Sequence, residues 1–378
     1  VAGRAARVGA VVAVAALVVT AVAVVVWRVR EATGPPPPAD QRYACLLESA
    51  SGDDHGALLR LEGPGIAYTG AAGVFAPGGR ALRPGDPFRT ASVTKAFTAV
   101  AALRLAERGV LGLDDPIGTH LDADLVARVA VWDGTSVAER ITLRRLLDHT
   151  AGLYDYATDE EWLARVQDEP QRTWTARELV DWAVERGQPY FPPGEGFHYS
   201  DTGYVLVGMV IERVTGGSLA DAYRTLVTEP LDLTATRLER PGAERVHAHA
   251  VIGGADTGDW NPTFDTHGGG GLVSTAEDLA AFLRAVITGD FLTEASRAAF
   301  LTTTPESDDS YALGLRRTDL DGDDAWYHTG FFGAFAGYVP SRDLTITGTA
   351  TNADDQDTPA ALMETAYRIA TGSDDNPC

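Results

Sequence analysis

The strongest constraint on how this chain can fold is the separation of its strand signals. Short β-prone runs lie at 56–62 and 65–70, with Gly63-Pro64-Gly65 as the turn between them. The next such runs come only at 311–317, 325–329, 334–340 and 344–352, and Asp321-Gly322 marks a hairpin turn between the first two. Residues 41–50 read as a short helix, and about 110–255 is mostly helical in pattern. Thr142 opens one helix. Thr175-Ala-Arg-Glu178 is a capping box, and an apolar run over 203–214 closes at Gly216-Gly217 before Ser218 caps the next helix. Ser274-Thr-Ala-Glu277 reads as a second capping box, and a last helix spans about 358–370. Strands this short must pair with one another across the sequence. The pattern predicts an α/β fold: an antiparallel sheet built from both chain ends, flanking helices, and an inserted, mainly helical subdomain.

The loop rich in Gly, Pro and Arg over 77–89 leads into Arg89-Thr-Ala-Ser92-Val-Thr-Lys95-Ala-Phe97. Helical spacing puts Ser92 and Lys95 on one face, in the first turn of a buried helix that ends near Gly109. A serine hydroxyl becomes a useful nucleophile when a neighbouring base takes its proton. Lysine can be that base if burial and nearby charge let it lose its own proton; arginine cannot. Lys95 is the single lysine among 31 Lys and Arg residues. A chain that uses arginine everywhere else keeps one lysine beside a serine.

Residues 9–27 carry no charge and, at about 1.5 Å per residue, reach about 30 Å as a helix, the thickness of a bilayer's hydrocarbon layer. Arg28 to Glu31 occupy the place where a small-x-small cleavage site would stand. The expectation is a cytoplasmic N-terminus over 1–8, an uncleaved transmembrane anchor over 9–27, a Pro-rich linker over 28–40 and an exported domain over 41–378. Secretion after signal cleavage is the alternative. The chain is acidic, with a formal net charge of −22, which argues against nucleic acid as a partner. Export permits a disulfide, and Cys45 and Cys378 would staple the ends of the domain if those ends meet; two unpaired thiols are the other reading. Nothing in the sequence fixes the oligomeric state.

Gly-x-Ser-x-Gly, His-Glu-x-x-His and a phosphate-binding Gly-Lys-Ser/Thr are all missing from the sequence. His247 and His249 lack a convincing set of further ligands, so no metal site is expected. Two clusters remain. Tyr199-Ser-Asp201 lies in a loop before the apolar helix, and His328-Thr329-Gly330-Phe331 ends a strand.

In this order and spacing, Ser-x-x-Lys, Tyr-Ser-Asp and His-Thr-Gly resemble the three active-site elements of the serine β-lactamase and penicillin-binding protein superfamily. The branch resembled is the one holding class C β-lactamases, D-alanyl-D-alanine carboxypeptidases and related esterases. Leu146-Leu-Asp-His149-Thr-Ala-Gly-Leu153 and Gly270-Gly-Leu-Val-Ser-Thr-Ala-Glu-Asp-Leu279 support it, and the resemblance covers roughly residues 41–370. It implies an extracytoplasmic serine hydrolase acting on ester or amide bonds, on a cell-wall peptide or a small ester, without a cofactor. Ser92 would be acylated, with Lys95 and Tyr199 handling its proton. The N–H groups of Ser92 and Phe331 would form the oxyanion hole, and Asp201, His328, Thr329 and Gly330 would contact substrate. A carboxypeptidase, a β-lactamase proper and an inactive cell-wall-binding ectodomain are the competing readings.

Two positions depart from the pattern. Asp201 stands where asparagine is commonest; it can accept but not donate a hydrogen bond when ionised, and it favours a charged Lys95. On that basis a cationic Lys95 would support a tyrosinate at Tyr199. His328 stands where many relatives have lysine, and would hold a substrate carboxylate less firmly.

Overall fold

The computed structural model describes residues 37–242 and 246–373. Its centre is a six-stranded antiparallel sheet. The strands are β1 (Gly56–Gly63), β2 (Ile66–Gly73), β3 (Arg316–Leu320), β4 (Asp323–Thr329), β5 (Ala334–Val339) and β6 (Leu344–Ala350). Their order across the sheet is β3-β4-β5-β6-β1-β2. The two chain ends meet where β1 pairs with β6, Ala57 opposite Ala350 through Glu62 opposite Thr345. The sheet is therefore built from both chain ends, as the strand signals predict.

Period-two alternation assigns the two faces of the sheet. Leu59, Leu61, Phe335 and Ile346 point to one side, where helices α1 (Ala39–Ser49) and α5 (Thr358–Thr371) cover them with Tyr43, Leu47, Leu362 and Tyr367. Leu58, Ala334, Ala336 and Tyr338 point the other way, into the larger core. There the buried Thr347 donates to the Ala276 carbonyl at 2.8 Å, at the start of helix α4 (Ala276–Ile287).

The larger core is organised around helix α2 (Thr94–Glu107), which is buried on nearly every side, as expected of a helix apolar all round. Phe97 of α2 stacks on Phe282 of α4. On its other flank α2 meets helix α3 (Asp201–Thr215), which ends in a left-handed Gly216. The segment between β2 and β3 is largely helical but also carries short strands, including a three-stranded sheet of Phe88–Arg89, Leu272–Ser274 and Arg237–Leu238.

Several expectations need correction. The strand expected over 311–317 starts only at Arg316, because Gly314 takes φ +76° and presses its backbone against the Lys95 carbonyl, leaving Tyr311 buried outside the ladder. The expected capping box at Ser274 is one residue off: Thr275 caps α4 by accepting from the Asp278 N–H. The boxes at Thr175 and the cap at Ser218 form as read. Among the described residues no helix is long and apolar enough to cross a membrane. The anchor assigned to 9–27 lies outside those residues, as does Cys378, one end of the suggested bridge. No cysteine among the described residues is free.

Candidate active site

Ser92 sits in a 3₁₀ turn, Ala91–Val93, just ahead of α2 rather than inside it. Ala91 adopts φ +42°, a left-handed conformation that costs a residue with a Cβ about 1–2 kcal/mol. Such strain persists only where the surroundings impose it. Here Thr90 N–H donates to the Leu272 carbonyl at 2.8 Å, and Gly330 lies so close to the Thr90 carbonyl that a Cβ there would meet it at 2.2 Å. Arg89, one residue earlier, is clamped by Glu239, whose carboxylate accepts from Nε at 2.8 Å and Nη2 at 3.1 Å.

Lys95 is fully buried in the first turn of α2. Its Nζ donates to Ser92 Oγ at 3.1 Å, to Asp201 Oδ1 at 2.5 Å and to the Gly269 carbonyl at 2.9 Å. Three acceptors use all three N–H bonds of an ammonium group. Asp201 is the first residue of α3, so its side chain is placed by the helix start. The Tyr199 phenol lies beside Ser92, and its ring centre is 4.8 Å from Lys95 Nζ. Burial, and next the Asp201 charge, push the Tyr199 phenol well above its usual range. A resting tyrosinate is therefore disfavoured, against the expectation drawn from Asp201.

His328 is buried at the end of β4, and burial, then Arg316 and Lys95, push its pKa well below the usual value. It is a neutral imidazole within a directional relay. Ser200 N–H donates to His149 Nδ1 at 3.1 Å; His149 Nε2 donates to the Tyr311 hydroxyl at 3.1 Å. That hydroxyl donates to His328 Nε2 at 3.2 Å, and His328 Nδ1 donates to the Thr329 carbonyl at 2.6 Å. The relay ties the loop holding Tyr199 to the end of β4. β3 stops pairing with β4 at Tyr327, which leaves His328, Thr329 and Gly330 unpaired by β3. Among the described residues the backbone N–H groups of Ser92 and Phe331 donate to no other group.

Ser92, Tyr199, Asp201, His328, Thr329, Gly330 and Phe331 all line one cavity of about 470 Å³. Lys95 lies behind its wall. Sequence reasoning missed four further polar residues. Asp155, Asp265 and Arg316 line the same cavity, and Tyr311 joins the two histidines. Asp155 Oδ1 accepts from the Ala157 and Asp201 N–H groups at 3.1 and 3.0 Å. Burial, then Asp201, raises Asp155 to about 7 and Asp265 to about 6. Arg316 has no acidic partner among the described residues; its guanidinium carbon lies 5.5 Å from the Tyr199 ring centre. The leading signal for Asp155 and Tyr311 was their place in otherwise apolar, aromatic stretches. His247 and His249 stay apart from the cavity, and His247 Nε2 pairs with Glu239 at 3.3 Å.

A cavity-facing hydroxyl, a buried lysine three residues on, and a phenol from a separate loop, all set beside an unpaired strand end, define an active-site-serine fold of the Ser-x-x-Lys type. The chain belongs to the Beta-lactamase family, whose profile matches residues 56–370. A penicillin-binding protein of Bacillus subtilis strain 168 is 30% identical over 278 residues, covering 68% of this chain and 58% of the relative. Esterase EstB of Burkholderia gladioli is 36% identical over 186 residues, covering 47% and 43%. The chain thus spans about half the length of these curated relatives. Among solved structures, a D-stereospecific amidohydrolase from Streptomyces sp. superposes with a TM-score of 0.76 at 28% identity, over 87% of this chain and 99% of that one.

Proposed function

We propose that this chain is an extracytoplasmic serine hydrolase that opens ester or amide bonds through an acyl-enzyme on Ser92. The observation that carries the reading is the buried Lys95 amine, 3.1 Å from the Ser92 hydroxyl at the cavity wall. Lys95 first gives a proton to Asp201 across the 2.5 Å contact, and the neutral amine then takes the Ser92 proton as Oγ attacks the carbonyl carbon. Substrate expels water from the cavity, and a drier site favours the neutral lysine and acid over the ion pair. The Tyr199 hydroxyl, kept protonated, passes a proton to the departing oxygen or nitrogen and is refilled from Lys95. The Ser92 and Phe331 N–H groups receive the oxyanion; losing one such donor typically costs about 10²–10³ in rate. Water then frees the acyl group by the reverse sequence.

Arg316 supplies the cavity cation that His328 does not, and it suits a carboxylate or carbonyl-rich leaving group. The relatives include an esterase, a penicillin-binding protein and a D-stereospecific amidohydrolase. The favoured substrates are accordingly esters and amides of amino acids or peptides, cell-wall stem peptides among them. The uncharged stretch over 9–27 supports export, with the Pro-rich stretch holding the domain off the membrane.

The test is a side-by-side comparison of a chromogenic ester, a D-amino acid amide, a D-Ala-D-Ala peptide and a cephalosporin, with fluorophosphonate labelling of the same preparation. Turnover of an ester or amide with labelling at Ser92 is expected. No turnover and no labelling would favour a non-catalytic, wall-binding domain.

A further inference from the structure

The Phe331 N–H is carried by a turn with few ties of its own. Gly330 and Gly333 bracket the turn, and glycine leaves the backbone dihedrals free at both ends. Gly333 N–H donates to the Gly330 carbonyl at 2.8 Å, which holds the peptide unit of the Phe331 N–H from one side. The Phe331 side chain is 40% exposed, so burial does not anchor it. Its carbonyl, in the next peptide unit, receives no backbone N–H among the described residues. It receives a side chain instead: Gln356 Nε2 donates to it at 3.1 Å and to the Ala353 carbonyl at 2.6 Å. Gln356 belongs to the loop after β6, 25 residues along the chain from Phe331. That loop is tied down at three points. Ala353 N–H donates to the Val251 carbonyl at 2.9 Å, and Asp354 Oδ1 accepts from the Gly253 N–H at 2.7 Å. Asp355 Oδ1 accepts from the Thr358 N–H at 3.3 Å, at the start of α5.

We infer that Gln356 is a positioning residue for the oxyanion hole: its amide braces the Phe331 carbonyl against the fixed loop and so keeps the Phe331 N–H aimed at the reacting carbonyl. The inference rests on the hydrolase reading of the same cavity and adds the residue that orients one of the two donors. An oxyanion donor works by being aimed before the charge develops. Holding the carbonyl pins the Phe331 Cα, about which the N–H would otherwise swing as the glycine-bracketed turn flexes. Both Gln356 amide protons are committed, one to the turn and one to its own loop, which is what a brace between them requires. A glutamate of the same shape would set a carboxylate oxygen against two carbonyl oxygens and give neither hydrogen bond. A tetrahedral oxyanion forms in both acylation and deacylation, so a loosened hole slows turnover whichever step is slower. Gln356 also borders the cavity, so direct contact with substrate is the competing role. The two roles part in kinetics: loss of a substrate contact made equally in the ground and transition states raises KM, and a loosened hole lowers kcat.

The test compares Gln356→Glu and Gln356→Ala with the parent on 4-nitrophenyl butyrate and in affinity for phenylboronic acid. The boronic acid adds to Ser92 Oγ as a tetrahedral anion, with one of its oxygens in the hole and the serine proton passed to the neighbouring base. Loss of a whole oxyanion donor costs about 10²–10³ in rate, and a donor kept but misaimed should cost about tenfold. The expected result is therefore kcat lower by about tenfold in both variants, KM within about twofold of the parent, and boronate affinity weaker by about tenfold. Either variant decides the matter should the other not fold. A raised KM with unchanged kcat overturns the inference and leaves the hydrolase reading standing. So does a kcat and a boronate affinity both within about twofold of the parent. A parent protein that neither turns over the ester nor takes the boronate overturns the hydrolase reading itself, and the inference falls with it.

Discussion

Glu239→Gln is the perturbation whose size the structure gives most directly. Arg89 lies three residues ahead of Ser92, and its side chain is 5% exposed against 7% for Glu239. Besides the two contacts to Glu239, Arg89 donates to the Thr257 carbonyl at 2.8 Å and the Trp260 carbonyl at 3.1 Å. The pair thus fixes the strand leading to the nucleophile against the loop that puts Trp260 into the cavity. Burial alone would raise the Glu239 carboxyl, but the hydrogen bonds and charges of His247 and Arg89 outweigh it and bring it from 4.5 to about 2. A fall of that size corresponds to about 3 kcal/mol of folding free energy at neutral pH. Removing one partner of a buried pair costs about 3–5 kcal/mol by general experience, because the other charge is stranded. The two routes agree. The folded carboxyl has the lower pKa, so its stabilisation is complete above about pH 4.5 and is lost as pH falls through about 2. Urea unfolding followed by tryptophan fluorescence should show Glu239→Gln about 3 kcal/mol less stable than the parent at pH 7, with the difference shrinking by half or more at pH 3. A difference under about 1 kcal/mol at pH 7, or one that does not change with pH, would refute the reasoning.

Other consequences follow from the same geometry. Tyr199→Phe should lower kcat by about 10²–10³ with KM little changed, since the hydroxyl is proposed to act on the proton and not on binding; steady-state kinetics on the preferred ester decides it. Tyr311→Phe removes the hydroxyl between His149 and His328, and should cost about 1–3 kcal/mol in chemical denaturation, more than loss of one exposed hydroxyl could explain. Asp201→Asn removes the charge 2.5 Å from Lys95, and should move the acid limb of the kcat/KM profile; an unmoved profile would rule out Asp201 as the lysine's proton partner.

How far the sequence reaches depends on whether a feature is local. Ser92 and Lys95 are legible because one helical turn brings them together whatever the rest of the chain does. The sheet was legible because its strands are short, separated runs with only one another to pair with. Asp155, Asp265 and Arg316 were not, because each reaches the cavity from a different, distant segment, and an aspartate in a loop reads as solvated until its burial is seen. Tyr311 was read as a strand residue since its flanks are β-prone; only the close approach of Gly314 to the Lys95 carbonyl takes it out of the ladder. The expected tyrosinate failed for a related reason. Asp201 was identified as a charge near Lys95, but the burial that pushes the Tyr199 phenol up, with that same charge adding to it, is a property of the assembled site.

The claim on which the rest depends is that Ser92 is acylated with the help of an amine that can give up a proton. Intact-mass and peptide mass spectrometry, on the parent and Lys95→Arg proteins briefly exposed to a slowly deacylating ester, test it directly. Arginine keeps the charge but cannot act as a base. The account predicts an adduct confined to the peptide carrying Ser92 in the parent, forming at least about 100-fold more slowly in Lys95→Arg. An adduct on another residue, or acylation of Ser92 at the parent rate in Lys95→Arg, would contradict it.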